Sequence, residues 1–202
     1  MASTNGGAMR TVLAAILTLC LTLPAAAGWI EAVSAIRAGD YTTAREELLP
    51  LAEEGNLDAQ YLLGVMYKNG DGGEENFVEA VRWLYAAAEQ GNAGARYNLG
   101  IMYSRGMGVI QDDVEAVRWW RSAAGQGDSR AQNNLGLMYQ NGRGVPQDFV
   151  HAHMWFNVAA SRGNQTARIN RDTVTAQMTL PQIAEAQELA RKWMPAGEGE
   201  GE

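Results

Sequence analysis

The chain repeats itself with a period of 36 residues. Each unit opens with a glycine followed by asparagine or aspartate, at Gly55, Gly91, Gly127 and Gly163. The first three units carry the pattern Leu-Gly-x-Met-Tyr at the same offset from that glycine. A fixed period of this length is typical of a unit that buries its apolar face only by stacking on copies of itself. The sequence therefore predicts a solenoid.

Two series of short polar residues predict two helix starts in every repeat. One series is Asn56, Asn92, Asp128 and Asn164, and the other is Asp40, Asn76, Asp112 and Asp148. Such side chains accept hydrogen bonds from the free N–H groups of a first helical turn. Glu79 and Glu115 follow their caps by three residues, which predicts capping boxes. In the first repeat we predict helices at 57–69 and about 77–90, the first ending at Gly70 in the left-handed conformation.

Small and aromatic residues recur at fixed places on these helices. Ala59 and Gly64 begin two small-residue series on the first helix, which let neighbouring helices approach closely. One tryptophan per repeat lies on the second helix, at Trp83, Trp119 and Trp155. Aromatic residues at helical spacing supply much buried apolar area, so we interpret them as core and not as a cofactor site.

The full pattern resembles the Sel1-like repeat family, a relative of the tetratricopeptide repeat. Ala-x-x-x-Leu-Gly-x-Met-Tyr is followed by Gly-x-Gly and then by Ala-x-x-Trp and Ala-Ala, with the 36-residue period. A tetratricopeptide unit is typically about 34 residues long and lacks the extra loop glycine. The resemblance implies an all-α, right-handed superhelical solenoid of stacked helical hairpins.

This register divides the chain into seven segments. They are a signal peptide (1–27), an N-terminal partial repeat or cap (28–54), three full repeats (55–90, 91–126 and 127–162), C-terminal capping helices (163–194) and an acidic tail (195–202). In the capping segment Arg171 and Asp172 replace the Leu-Gly pair, as expected where the outer face meets water. The tail contains only Pro, Ala, Gly and Glu, a composition that predicts disorder.

The first 27 residues resemble a secretory signal. Arg10 is their single positive charge, an apolar stretch runs from 12 to 23, and three alanines ending at Ala27 precede Gly28. The apolar stretch is shorter than the roughly 20 residues that span a bilayer. We therefore predict cleavage after Ala27, a periplasmic or secreted protein, and no membrane span after cleavage.

Alternatives to this signal remain open. An uncleaved segment would act as an anchor. Cys20 sits in a sequence resembling a lipidation site, but Leu19 before it is larger than the small residue expected there. Translation from Met9 in place of Met1 would also give a compact signal beginning next to Arg10.

Composition argues against several functions. The chain has 16 basic and 23 acidic residues, for a net charge of −7, which disfavours nonspecific binding to nucleic acid or anionic membranes. Its single cysteine, Cys20, lies in the predicted signal, so the mature chain would have neither a disulfide nor a thiol nucleophile.

The sequence offers no convincing catalytic, metal or cofactor site. His151 and His153 are the only histidines, and on a helix they point about 200° apart, too far to share a metal. The oxygen-rich stretch 69–75 lacks the acidic twelfth position of a helix-loop-helix calcium site. There is no phosphate-binding glycine loop with a lysine and no nucleophile elbow. We therefore predict that the protein is not an enzyme and uses no cofactor.

Binding is expected on the concave surface formed by the first helices. By analogy with tetratricopeptide repeats, the partner-binding positions are the second, fifth, ninth, twelfth and thirteenth of each first helix. These positions differ between repeats while the core positions do not, which is what a scaffold needs. The candidate partner-binding residues are Tyr61, Lys68, Tyr97, Arg105, Arg130, Asn133 and Gln140.

The favoured hypothesis is a non-catalytic adaptor that binds a protein or peptide partner in the bacterial envelope, in signalling or envelope assembly. The family resemblance implies the same role. The alternative is a cell-wall enzyme of the β-lactamase or penicillin-binding type, suggested by cysteine-rich relatives; this chain lacks their cysteine pairs. A third hypothesis is a regulator that binds the periplasmic domain of a membrane sensor.

Overall fold

The computed structural model describes residues 26–193, which form an all-α solenoid. The helices are α1 (26–38), α2 (Tyr41–Glu53), α3 (Leu57–Asn69), α4 (Phe77–Glu89), α5 (Ala93–Arg105), α6 (Asp113–Gly125), α7 (Ser129–Asn141), α8 (Phe149–Ser161), α9 (Gln165–Thr175) and α10 (Leu180–Trp193). The predicted signal peptide lies outside the described residues except for Ala26 and Ala27, which belong to α1. The predicted acidic tail lies outside them entirely.

The predicted helix caps are confirmed at all eight positions. For example, the Asn92 side chain accepts a hydrogen bond from the Ala95 N–H at 2.8 Å, and Asp148 accepts one from the His151 N–H at 3.0 Å. The helix α3 ends at Gly70, which has a φ of 75°, as predicted. The local polar residues therefore set the helix boundaries, because each one satisfies a donor that the first turn leaves free.

The predicted capping boxes are wrong. In a capping box the Glu79 side chain would accept a hydrogen bond from the backbone N–H of Asn76. That N–H donates instead to the carbonyl oxygen of Tyr67 at 2.9 Å. The Glu79 carboxylate pairs with Arg82 at 3.2 Å. The same exchange occurs in the next repeat, where the Asp112 N–H donates to Tyr103. In both repeats, a backbone carbonyl of the preceding helix thus accepts the hydrogen bond that the N-cap N–H would donate in a capping box.

Each hairpin closes tightly because a glycine on its first helix faces a large side chain on its second. A Cβ built on Gly64 would lie 2.6 Å from Leu84 Cγ, and one built on Gly100 would lie 2.5 Å from Trp120 Cδ1. In the third repeat Gly136 faces Phe156 in the same way. The glycine of the Leu-Gly pair is therefore required for packing rather than for a turn.

The second loop glycine of each repeat joins neighbouring hairpins. Gly144 has a φ of 66°, and a Cβ built on it would lie 2.5 Å from the carbonyl carbon of Asp113, the first residue of α6. Gly72 and Gly108 make the same approach to the first residues of α2 and α4. Only glycine combines the left-handed backbone with so close a contact.

The buried residues form overlapping apolar clusters along the stack. Leu63, Leu99 and Leu135 are fully buried, and Trp119 packs into the cluster formed by α4 and α5. Trp155 packs with Trp120 of the preceding second helix. Each repeat thus completes the core of its neighbour, which confirms the prediction that the recurring tryptophans are core residues.

The C-terminal helix departs from the repeat pattern. α10 packs against α8 and does not form a hairpin with α9. Its Ala190 is fully buried in the cluster of Trp155, and the Trp193 ring lies edge-on to Trp155 with centroids 4.7 Å apart. Met154 is 6 % exposed here, whereas the homologous Arg82 and Arg118 are exposed. α10 therefore covers a face of α8 that stays open on the earlier second helices.

The end of the stack buries a histidine. His153 is 3 % exposed, and its Nδ1 has no hydrogen-bond partner among the described residues. Burial lowers the pKa of His153; the positive charge of Arg171 on α9 adds to this shift, and Asp172 opposes it. The homologous position in the preceding repeat is Val117, which is also buried.

We expect His153 to make the fold less stable in mild acid. Because its folded-state pKa lies below the unfolded value of about 6.5, the unfolded chain binds the extra proton, and stability falls as pH drops through that value. His153→Val should reduce the loss of unfolding free energy between about pH 7.5 and about pH 5.5, measured by urea denaturation. His151 is present in both proteins, so any contribution it makes to the pH dependence of stability cancels in the comparison. An unchanged pH dependence in the variant would contradict the assignment.

Candidate functional site

The first helices α3, α5 and α7 lie side by side and form one surface, called here the first-helix face. Tyr61 of α3 packs on Gly94 of α5, whose Cβ, if present, would lie 3.0 Å from the tyrosine ring. One repeat further, the guanidinium carbon of Arg130 on α7 lies 4.3 Å from the centroid of the Tyr97 ring. The predicted fifth position therefore contacts the second position of the next first helix.

The two tyrosines are half-buried between repeats. A cation centred over an aromatic face is attracted by the negative potential of that face, so Tyr97 holds Arg130 across the seam between α5 and α7. Asp128 also holds this arginine, with Nη2 to Oδ2 at 2.6 Å, and its hydrogen bond raises the pKa of Arg130. Arg130 is therefore fixed in orientation while about half of its side chain, 54 %, remains exposed.

Lys68 links α3 to α5. Its Nζ donates to the Oδ1 of Asn98 at 2.7 Å, and the Asn98 amide group donates to the Gly94 carbonyl at 2.8 Å. Burial lowers the pKa of Lys68, and the positive charges of Arg130 and Arg105 lower it further. The structure thus brings together three of the predicted residues, from three different repeats, on one face.

Arg105 lies beside a cavity of about 270 Å³ between α5 and α7. The cavity is lined by Ile101, Ser104, Arg105, Trp120, Asn134, Leu137, Met138, Asn141 and Arg143. Arg105 is exposed, and none of the hydrogen bonds or ion pairs among the described residues uses its guanidinium group. It is available to a ligand in the cavity.

Two other predicted residues contribute less to the exposed surface. Asn133 is only 8 % exposed, and its Oδ1 accepts a hydrogen bond from Asn170 of α9 at 2.9 Å. Gln140 is half-buried, and its backbone carbonyl accepts from the Gln147 side chain at 2.9 Å. Asn133 therefore belongs mainly to the contact between α7 and α9.

Sequence reasoning missed Trp120 and Asn98. Trp120 belongs to a second helix, yet it lines the cavity, and its Nε1 donates to the Tyr97 carbonyl at 3.1 Å. Asn98 occupies the sixth position of α5, which was not among the expected binding positions. The recurrence of asparagine at 98, 134 and 170 was a signal that could have identified the sixth position.

The described residues contain neither a group of metal ligands nor a helix able to span a membrane. Within 26–193 no three residues among His, Cys, Asp and Glu are grouped closely enough to hold a metal ion. His151 and Asp148 form an exposed pair, with Nδ1 2.7 Å from Oδ2, and the imidazole stacks on Tyr139. Over the same part of the chain, no helix combines the length and the apolar character needed to cross a bilayer.

Comparison with protein families matches a Sel1 repeat model to residues 57–92, 93–128 and 129–164, more than half of the chain. The chain belongs to the Sel1 repeat family. The matched units begin at the first residue of α3, α5 and α7, so each contains one complete hairpin. A comparison with curated proteins gives no match.

Two solved structures resemble this Sel1 repeat protein. A Sel1 repeat protein from Oxalobacter formigenes is 34 % identical with a TM-score of 0.66, over 70 % of this chain and 58 % of that one. The protein c5321, a protective antigen of uropathogenic Escherichia coli strains with an SLR fold, is 28 % identical with a TM-score of 0.58, over 80 % and 45 % of the two chains. This chain therefore spans about half the length of its solved relatives.

Sel1 repeat proteins are generally protein-interaction scaffolds and are typically non-catalytic. In this Sel1 repeat protein the invariant features are the caps, the loop glycines and the core. The variable features are the side chains of the first-helix face. Within this chain the repeats therefore keep the residues that support the stack and vary those on the first-helix face.

Proposed function

We propose that this Sel1 repeat protein is a non-catalytic adaptor that holds a segment of a partner protein on the first-helix face. The observation that carries the proposal is the cluster of Lys68, Arg105 and Arg130, of which Arg105 lines a cavity between α5 and α7. These residues come from three successive repeats, so the site depends on the stack and not on a single hairpin. Lys68 is already held by Asn98, and Arg130 by Tyr97 and Asp128, so these side chains lose little further conformational freedom on binding.

The chemistry of the face fits an extended peptide. Ser104, Asn134 and Asn141 offer hydroxyl and amide groups for a peptide backbone, while Ile101 and Leu137 supply apolar floor to the cavity. The half-buried rings of Tyr61 and Tyr97 present area that contacts a ligand without losing much side-chain entropy. Binding would therefore combine several weak, directed contacts along the seam between α5 and α7.

The proposed compartment is the bacterial envelope, in signalling or envelope assembly. Support comes from the sequence of residues 1–27, which has the charge, apolar stretch and small residues of a secretory signal. A mature chain without cysteine would need no oxidative folding there. Fractionation of cells producing the tagged full chain would test the compartment, and retention of an uncleaved, cytoplasmic protein would contradict it.

A site-specific crosslink tests the proposed binding face. Asn141 is exposed and lines the cavity, so a photoreactive amino acid at this position should yield a discrete adduct with a partner in cells. The matched control is Glu89, which is exposed at the end of the second helix α4. Adducts in equal yield at both positions, or at neither, would contradict binding on the first-helix face.

A further inference from the structure

The first-helix face carries positive charge on a protein that is acidic as a whole. The net charge is −7, yet Lys68, Arg105 and Arg130 lie close enough that the fields of both arginines act on the lysine. Only Asp71 opposes their effect on Lys68. Like charges held together in a folded protein repel one another, so a ligand that neutralises them gains more than it would at an isolated cation.

Two of these three cations have no carboxylate partner among the described residues. Arg130 pairs with Asp128, but Lys68 donates only to the neutral Asn98, and Arg105 is free. On the second helices, Arg82 and Arg118 each pair with the glutamate three residues earlier, whereas Arg121 donates to the Tyr139 hydroxyl group. The first-helix face therefore carries two neighbouring cations that have no carboxylate partner among the described residues.

The cavity beside Arg105 is a space in which a ligand can contact this positive charge. Its rim carries the neutral polar groups of Ser104, Asn134 and Asn141, and its second arginine, Arg143, is already paired with Asp113 at 2.8 Å. A ligand in the cavity therefore meets Arg105 as the free cation among its lining residues. A carboxylate fits this environment, because a guanidinium group binds it through two parallel hydrogen bonds and the amide NH2 groups and the serine hydroxyl can donate to it.

We propose that the first-helix face binds an acidic segment of a partner protein, with its carboxylates pairing with Arg105 and Lys68. This inference rests on the proposed adaptor function and gives the chemistry of the bound segment. Arg130 is held by Tyr97 and Asp128, so it contributes positive electrostatic potential but not a free guanidinium group for a carboxylate. A long polyanion such as nucleic acid fits less well, because the surrounding acidic surface repels charge that extends beyond the face.

The direct test is the binding of a fluorescent peptide of alternating glutamate and alanine to the full protein, monitored by fluorescence anisotropy. A peptide with glutamine at every glutamate position is the control probe. We expect the acidic probe to bind more tightly than the neutral one by at least about tenfold, and its affinity to fall as salt rises. Arg105→Glu and Lys68→Glu should each weaken the acidic probe by about tenfold or more.

Matched variants separate local recognition from overall charge. Arg82→Glu and Arg118→Glu alter net charge by the same amount as Arg105→Glu, but on second helices. We expect them to change the affinity by less than about twofold, since exposed charges beyond a Debye length are screened. Circular dichroism of every variant confirms that the helices remain folded.

Amine labelling gives a second readout at one of the three cations. The chain has two lysines, Lys68 and Lys192, so Lys192 serves as an internal reference for acetylation measured by mass spectrometry. The acidic probe should slow labelling of Lys68 and leave Lys192 unchanged, because a carboxylate beside Lys68 holds its proton and blocks access.

Three results would overturn the inference. They are no binding of the acidic probe, equal binding of acidic and neutral probes, or equal effects of the first-helix and second-helix charge reversals. The adaptor function fails separately, if the crosslink at Asn141 gives no specific adduct. A specific adduct with a partner whose bound segment is neutral would leave the adaptor function intact and disprove the acidic ligand.

Discussion

Replacing Gly100 by alanine is expected to destabilise the protein by about 2–3 kcal/mol, although alanine is the better helix former. The new Cβ would lie 2.5 Å from Trp120 Cδ1 and 2.7 Å from Cε2. Trp120 is 4 % exposed and is held by its hydrogen bond to the Tyr97 carbonyl, so a shift of its ring toward the neighbouring cavity would break that bond. Overpacking therefore outweighs the roughly 1 kcal/mol that helix propensity contributes in the opposite direction.

The measurement is denaturant unfolding followed by circular dichroism, with Gly125→Ala as the matched control. Gly125 is the last residue of α6 and is exposed, and a Cβ built there meets no atom within 4 Å. The control should gain about 0.4–1 kcal/mol from reduced unfolded-state freedom. The two substitutions are chemically identical and should differ in sign. Stabilisation by Gly100→Ala would show that the two helices separate more easily than the structure indicates.

Trp155→Ala is expected to cost about 3–5 kcal/mol and to loosen the C-terminal helix. Trp155 is 5 % exposed and packs against Trp120 of the preceding second helix as well as Leu189 and Ala190 of α10. Its removal leaves a cavity at the point where three helices meet, and neighbours that are already packed on other sides fill it only in part. We expect a lower unfolding midpoint and faster amide hydrogen exchange in α10.

Trp193→Ala is the matched control for this substitution. Trp193 contributes an edge contact to Trp155 and is 43 % exposed, so its loss should cost less than that of Trp155, about 0.5–1.5 kcal/mol for the aromatic pair. Hydrogen exchange in α3 should be unaffected by either variant, because repeats interact only with their neighbours. Equal destabilisation by the two variants would contradict the central position of Trp155.

The helical hairpins could be predicted almost entirely from the sequence. The bounds of α3 are those expected from Asn56 and Gly70, and α4 ends within one residue of its expected end. These features are local, since a cap and its helix lie within a few residues of each other. The failed capping boxes show the limit of local reasoning, because the Tyr67 carbonyl that replaces Glu79 belongs to another helix.

The candidate site could be predicted only in outline. The variable positions of the first helices were visible in the repeat alignment, but their exposure depends on side chains from the next repeat. Asn133 is covered because Asn170 donates to it, and Tyr97 is half-buried beneath Arg130. Such contacts join residues about one repeat apart, and no property of either residue alone reveals them.

By itself, the sequence determined the repeat length, the helix boundaries, the turn glycines and the identity of the core, because each follows from chemistry within one 36-residue unit. The tertiary structure decided which variable side chains remain accessible, and it brought Lys68, Arg105 and Arg130 together from three units. It also placed α10 on α8. Stacking sets these features because the rotation from one repeat to the next fixes which side chains meet.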